Sequence, residues 1–179
     1  MKLKTACLAL ATAALLASCG KKETTAAAAP ATIAPSTALS AVLAASPTGE
    51  PSSIHLIRAT AKPGDVITIG GRIMGNAKPF VEGRSAFILG DPEVLAACNE
   101  DPADKCTTPW DNCCESPEDK KRAIATIQIV GTDGRVLKEP VEGVGGLANL
   151  ASVTVTGKVA EGSSADLLII NAQAIRSGK

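Results

Sequence analysis

Aromatic side chains are scarce in this sequence and make up 2% of its 179 residues. Phe80, Phe87 and Trp110 are present and tyrosine is absent. The core is therefore expected to be aliphatic, built from Ile, Val and Leu. Proteins that bind single-stranded nucleic acid stack bases on aromatic side chains in a basic groove. The scarcity of aromatics argues against that function.

The sequence also lacks an excess of charge of either sign. It contains 18 Lys and Arg against 18 Asp and Glu, so the formal net charge is zero. No overall positive field is available to attract nucleic acid. We therefore do not expect nucleic acid as a partner.

Motifs of the common enzyme classes are missing as well. His55 is the single histidine, and no segment resembles a nucleophile elbow, a metal-binding helix or a phosphate-binding loop. Gly143-Val144-Gly145-Gly146 follows no phosphate-binding strand and indicates a flexible corner. The sequence thus predicts a non-enzymatic protein that needs no cofactor.

The N-terminus has the pattern of an export signal. Lys2 and Lys4 precede the apolar run Thr5–Ala17, which is too short to span a bilayer comfortably. The run ends in Leu16-Ala17-Ser18-Cys19, which resembles the lipobox of bacterial lipoproteins. An ordinary signal peptide that ends in a chance cysteine is the alternative.

The lipobox resemblance implies that residues 1–18 are removed and that Cys19 becomes the lipidated first residue. Several acyl chains together anchor a protein stably in a membrane. Gly20, rather than aspartate, follows the cysteine, which in enterobacteria-like sorting implies the outer membrane, facing the periplasm. Residues 19–53 are rich in Ala, Thr, Pro and Ser and are predicted to be a flexible tether.

Alternating apolar and polar residues predict β-strands from residue 54 onward. The expected strands are 66–73, 85–89, 123–130, 152–159 and 167–175, with 135–137 as a possible return strand and 54–59 as a lead-in strand or short helix. Val153-Thr154-Val155-Thr156-Gly157-Lys158-Val159, followed by a turn and Leu168-Ile169-Ile170-Asn171-Ala172, resembles part of an OB-fold. The resemblance implies an all-β domain over 54–179: a closed or partly open barrel of five or six strands. A β-sandwich is the alternative.

An acidic insert over residues 91–119 interrupts this barrel. Nine of the 18 acidic residues lie within it, against Lys105 as the basic residue between them. Asp91-Pro92 and Ser116-Pro117 are each predicted to cap a helical turn. No calcium-loop pattern is present, so the charges are expected to be solvated or to face a basic partner.

The insert also contains Cys98, Cys106, Cys113 and Cys114. An even number of cysteines in an exported protein predicts two disulfides. A bond between the adjacent Cys113 and Cys114 is disfavoured, which leaves Cys98–Cys113 with Cys106–Cys114, or Cys98–Cys114 with Cys106–Cys113. A metal-binding or thiol-redox site that uses the same four cysteines is the alternative.

Four further residues are candidates for binding: Trp110, Asp111, Arg72 and Arg84. Trp110 is expected either to cover the disulfides or to anchor a partner. The sequence as a whole predicts a lipid-anchored, exported binding or scaffold module of the cell envelope. Its partner would be an envelope protein or polymer, and oligonucleotide or oligosaccharide binding by the barrel is a further alternative.

Overall fold

The strands of the computed structural model form one sheet that closes on itself. The structure describes residues 34–103 and 105–178. Among these residues, no helix combines the length and the apolar character that crossing a membrane requires. The helices and strands are α1 Thr37–Ala44, β1 Ser52–Ser53, α2 Ile54–Arg58, β2 Val66–Arg72, β3 Ala86–Gly90, α3 Pro117–Ala123, β4 Ile124–Gln128, β5 Ser152–Val159 and β6 Leu168–Ser177.

Five of the strands close a mixed barrel. β2 pairs antiparallel with β5 from Val66↔Lys158 to Arg72↔Ser152, and it meets β3 at Arg72↔Gly90. β3 pairs antiparallel with β4, β4 parallel with β6, and β6 antiparallel with β5. The two-residue β1 adds a parallel edge to β2. This arrangement confirms the predicted small OB-like all-β fold, and the single closed sheet replaces the β-sandwich alternative.

The core is aliphatic, as the composition predicts. Alternation along β4 buries Ala125 and Ile127, and alternation along β5 buries Val153 and Val155. Phe87 is fully buried among these aliphatic side chains. Gly157 lies at a shift in register between β5 and β6, where a Cβ would come within 2.5 Å of the Asn171 carbonyl oxygen. Glycine is therefore required at this irregularity.

The predicted strands differ from the observed ones mainly at their ends. Helix α3 continues through Ala123, so β4 begins at Ile124 and ends at Gln128 rather than spanning 123–130. The possible return strand at 135–137 is reduced to a single bridge between Val130 and Val136. The lead-in segment over 54–59 forms helix α2.

Residues 34–53, assigned from the sequence to the flexible tether, belong to the folded unit that begins at Ala34. Ser36 caps α1 by accepting a hydrogen bond from the Leu39 amide. Leu39 is fully buried, and Val42 and Leu43 pack against the core. Spacing of i, i+3 and i+4 gives α1 one apolar face. The prediction of a flexible tether is wrong for residues 34–53, because the many Ala, Thr and Pro residues of this segment obscure the short apolar pattern of α1.

The remaining N-terminal predictions fall on residues 1–33, which lie outside the described part of the chain. They comprise the signal peptide, the lipidation of Cys19 and the first part of the tether.

The insert leaves the barrel after β3 and returns at β4. The Ser116 side chain accepts a hydrogen bond from the Asp119 amide at the start of α3, as predicted. Around Asp91 the chain forms a hydrogen-bonded turn, and a short 3-10 helix follows at Cys98–Glu100. The base of the insert packs in a second small apolar cluster, made of Met74, Leu95, Ala97 and Ala123.

Candidate thiolate site in the insert

Backbone pairing within the insert determines where its cysteines lie. The Cys98 amide donates to the Asp111 carbonyl at 2.8 Å, and the Asn99 amide donates to the Pro109 carbonyl at 3.0 Å. Two segments of the insert therefore run alongside each other. This pairing places Cys98 close to Cys113, although 15 residues separate them in the chain.

Three of the cysteine sulfurs converge. The Sγ atoms of Cys98, Cys106 and Cys113 all lie within 4.8 Å of one another, and those of Cys98 and Cys113 are 3.7 Å apart. Cys98 is buried, Cys106 is half-buried and Cys113 is exposed, so the group lies at the edge of the folded insert. We call these three residues the thiol cluster.

The predicted disulfides are not formed. In the described part of the chain no two cysteine sulfurs are at bonding distance, which would be about 2.0 Å. Instead of two separate pairs, three of the sulfurs converge at one place. Cys114 is exposed, and its Sγ lies 3.9 Å from that of Cys113.

Cys106 lies beside the hydroxyl group of Thr108. The Thr108 hydroxyl lies 3.2 Å from its Sγ and lowers the pKa of the thiol, because a hydroxyl can donate to a thiolate. Partial burial opposes this effect, and the sulfurs of Cys98 and Cys113 act in the same direction as Thr108. Cys106 is therefore favoured to ionise and to act as a ligand.

A groove beside the thiol cluster contains an unusual polar group. Asn112 is 1% exposed, yet neither its carboxamide oxygen nor its nitrogen has a hydrogen-bond partner among the residues that the structure describes. Asn112 lines the groove together with Cys98, Cys114, Glu100, Asp101 and Glu115. Buried amides are nearly always hydrogen-bonded, so this one calls for a physical explanation.

The predicted binding residues do not form one surface. The Arg72 guanidinium pairs with Glu100 and joins β2 to the insert. The Asp111 carboxylate accepts a hydrogen bond from the Asn112 amide at 2.8 Å, while Arg84 is exposed in the loop before β3. Arg72 and Asp111 thus form hydrogen bonds with residues of the insert, Glu100 and Asn112.

Trp110 has a role that neither prediction anticipated. Its Nε1 donates to the Ala77 carbonyl at 3.0 Å, and its own carbonyl accepts from the Gly75 amide at 3.3 Å. The indole lines a groove with Pro79 and Phe80 from the loop between β2 and β3. These contacts fasten the insert to the barrel.

Sequence reasoning missed the pairing of His55 with Asp91. His55 Nδ1 lies 2.7 Å from Asp91 Oδ2, which also accepts from the His55 amide, and Asp91 Oδ1 accepts from the Glu93 amide. Burial alone would raise the pKa of Asp91, but these hydrogen bonds outweigh it and lower that pKa. The sequence signals the Asp91 cap, whereas the partner 36 residues earlier is visible only from the fold.

Glu93 lies close to this pair. One potential metal-ligating atom from each of His55, Asp91 and Glu93 lies within 4.8 Å of the other two. Both carboxylate oxygens of Asp91 already accept hydrogen bonds from the protein. These three residues therefore form a structural junction between α2 and the insert.

Comparison with known proteins yields no relative. No family model matches the chain, and no curated protein or solved structure is significantly similar to it.

Proposed function

We propose that this protein is an exported, lipid-anchored and non-enzymatic binding module whose ligand is a thiophilic metal ion, held by the thiolates of Cys98, Cys106 and Cys113. The observation that carries the proposal is the convergence of the three sulfurs. The metal-binding alternative is thereby favoured over the two-disulfide alternative for the same residues.

The spacing of the sulfurs suits a thiolate-bound ion. Zinc–sulfur bonds are about 2.3 Å long, so two thiolates of a tetrahedral site lie about 3.8 Å apart. The 3.7 Å between Cys98 and Cys113 agrees with that distance. Soft thiolate ligands favour Cu⁺ and Zn²⁺ over Ca²⁺ and Mg²⁺, which also fits the lack of a calcium-loop pattern in the acidic insert.

Electrostatics supports the same ligand. Thiols must lose their protons to bind a metal, and the lowered pKa of Cys106 favours that step. The acidic residues of the insert attract a cation and repel an anion. In this proposal the barrel acts as a scaffold, and the lipid on Cys19 retains the module at the membrane.

A titration of the reduced, detergent-solubilised mature chain with Zn²⁺ tests the site. We expect one ion per chain, and loss of that binding in Cys98→Ser, Cys106→Ser and Cys113→Ser. Cys114→Ser is the matched control and should keep the stoichiometry. Counting thiols on native, unreduced protein separates the alternatives, since two disulfides would leave no reactive thiol and would refute the proposal.

The anchor is tested separately. Cys19→Ser removes the sulfur that takes the lipid, so the protein should move from the membrane fraction to the soluble fraction. Cell fractionation and immunoblotting measure this, with Cys7→Ser as the matched control. A Cys19→Ser protein that stays with the membrane would rule out lipidation at this residue.

A further inference from the structure

Two thiols of the cluster lie close enough to be joined by a small movement. The Sγ atoms of Cys98 and Cys113 are 3.7 Å apart, against about 2.0 Å in a disulfide. The Cys98 amide donates to the carbonyl of Asp111, close to Cys113 in the chain, so the backbone keeps the pair together. Rotation of the exposed Cys113 side chain between rotamers can shorten the distance while this backbone pairing stays in place.

The other two cysteines of the insert are less suited to such a bond. The sulfur of Cys106 lies 3.2 Å from the Thr108 hydroxyl and 3.6 Å from the Thr108 carbonyl oxygen, which hold it in the loop. Cys114 directly follows Cys113, and a disulfide between adjacent cysteines is strained. Cys98 and Cys113 are therefore the favoured pair.

Exposure gives these two thiols different roles. Oxidation of cysteine follows the accessibility of its sulfur to the oxidant. Cys113 is exposed, whereas Cys98 is 8% exposed. A dissolved oxidant therefore meets Cys113 first, and Cys98 is the neighbouring thiol that can react with the oxidised sulfur.

We infer that Cys113 is an oxidation site and that Cys98 is its resolving thiol, so that a peroxide joins them in a disulfide and dismantles the metal site. This inference rests on the proposed function. Metal binding needs thiolates, and the disulfide removes two of the three in the thiol cluster. Cys106 alone does not hold the ion, which is released. Reduction of the disulfide restores the site.

Hydrogen peroxide balances the reaction. The Cys113 thiolate attacks one peroxide oxygen, so that an S–O bond forms, the O–O bond breaks and hydroxide leaves. The Cys98 thiolate then attacks the oxidised sulfur, so that the S–S bond forms, the S–O bond breaks and a second hydroxide leaves. Each hydroxide takes up a proton to give water, and two electrons pass from the sulfurs to the peroxide.

Peptide mapping tests the oxidation site. The reduced, detergent-solubilised mature chain is treated with one equivalent of hydrogen peroxide, its remaining thiols are alkylated, and it is digested without reduction. Trypsin cleaves after Arg84, Lys105 and Lys120, which places Cys98 on peptide 85–105 and Cys113 on peptide 106–120. Mass spectrometry should find these two peptides linked, and thiol counting should show two fewer reactive thiols per chain.

Variants identify the partner of Cys98, because three cysteines share peptide 106–120. Cys113→Ser should reduce the linked peptide by about tenfold or more, since it removes the accessible sulfur. Cys114→Ser is the matched control, because Cys114 is also exposed and is the next residue, and it should keep the wild-type yield. Cys106→Ser should keep it too.

Release of the ion tests the link to the metal site. The wild-type chain loaded with Zn²⁺ is treated with peroxide and desalted, and its zinc is measured by elemental analysis. One ion should be lost for each disulfide formed. Treatment with dithiothreitol, its removal and addition of Zn²⁺ should restore one ion per chain.

The outcomes separate this inference from the proposed function. If the wild-type chain binds no Zn²⁺, both fail. If it binds one ion but peroxide does not link Cys98 to Cys113, or the linked chain keeps its ion, the inference is wrong and the proposed function stands. A wild-type yield of linked peptide from Cys113→Ser would also overturn the inference.

Discussion

Asp91 stabilises the junction between β3 and the insert through hydrogen bonds that need its carboxylate. Three donors, two from His55 and one from Glu93, converge on a side chain that is 1% exposed. A buried donor that loses its acceptor costs about 1–3 kcal/mol. The residue therefore contributes to the stability of the fold.

Replacing Asp91 should destabilise the protein in a pH-dependent way. Asp91→Ala should lower the free energy of unfolding by about 1–3 kcal/mol at pH 7. Because the folded pKa of Asp91 is lowered, its contribution is fully present above the unfolded pKa of about 3.9 and is lost as the pH falls through the folded value. Urea unfolding of both proteins from neutral to acidic pH measures the difference.

The exposed Glu161 provides the control for this experiment. Glu161→Ala should leave the free energy of unfolding nearly unchanged at every pH. A gap between wild type and Asp91→Ala that stayed constant into strong acid would contradict the charged hydrogen-bond network.

At the scale of single residues, the sequence predicts some contacts of a side chain but not others. The caps at Ser116 and Asp91 follow from local rules, because a capping side chain bonds to amides two or three residues away. The convergence of Cys98, Cys106 and Cys113 does not follow from such local rules. It depends on the pairing of residues 98–99 with 109–111, which spacing alone does not reveal.

At the scale of elements, α1 ties residues 34–53 to the barrel. Leu39 is fully buried in the barrel core, and Ser36 is hydrogen-bonded to Glu139 from a distant loop. The strands were predictable because the alternation of apolar and polar residues is recognisable over a few consecutive positions. A two-turn helix inside an alanine-rich segment gives a weaker sequence pattern than a strand does. The packing of α1 therefore could be recognised only from the structure of the whole core.

The contribution of α1 can be measured through Leu39. Leu39→Ala should lower the free energy of unfolding by about 2–5 kcal/mol, because it leaves a cavity in the core. Leu56→Ala is the matched control, since Leu56 is 63% exposed. Urea denaturation compares the two variants. Equal small effects would mean that residues 34–53 behave as the tether predicted from composition.

At the scale of the whole molecule, the insert and the barrel have separate cores. The barrel cluster contains none of the described residues of 91–119, whereas the second cluster joins Leu95 and Ala97 of the insert to Met74 and Ala123. Changes within the thiol cluster should therefore affect the insert without unfolding the barrel.

The paired change Cys98→Ser and Cys106→Ser tests this separation. We expect faster tryptic cleavage at the exposed Lys105 and an unchanged midpoint of barrel unfolding. In the wild type, added Zn²⁺ should slow the same cleavage, because an ion bound to the cluster orders the loop. Loss of the barrel transition in the paired variant would instead make the insert part of the main core.

The all-β barrel was predictable from its alternating strands and from their resemblance to part of an OB-fold, although which strands pair became visible only in the closed sheet. The function of the insert was not, because the same four cysteines are compatible with disulfides, a metal site or redox thiols until their sulfurs are placed.

β6 has a consequence for how the chain reaches its native state. It pairs with β4 on one side and β5 on the other, and α1 packs against it. Until residues 168–177 are in place, β4 and β5 each expose an unpaired edge, which is prone to pair with other chains. The barrel cannot close on a growing or truncated chain, so folding must wait for the C-terminal strand, and shortening that end should favour aggregation over a smaller stable barrel.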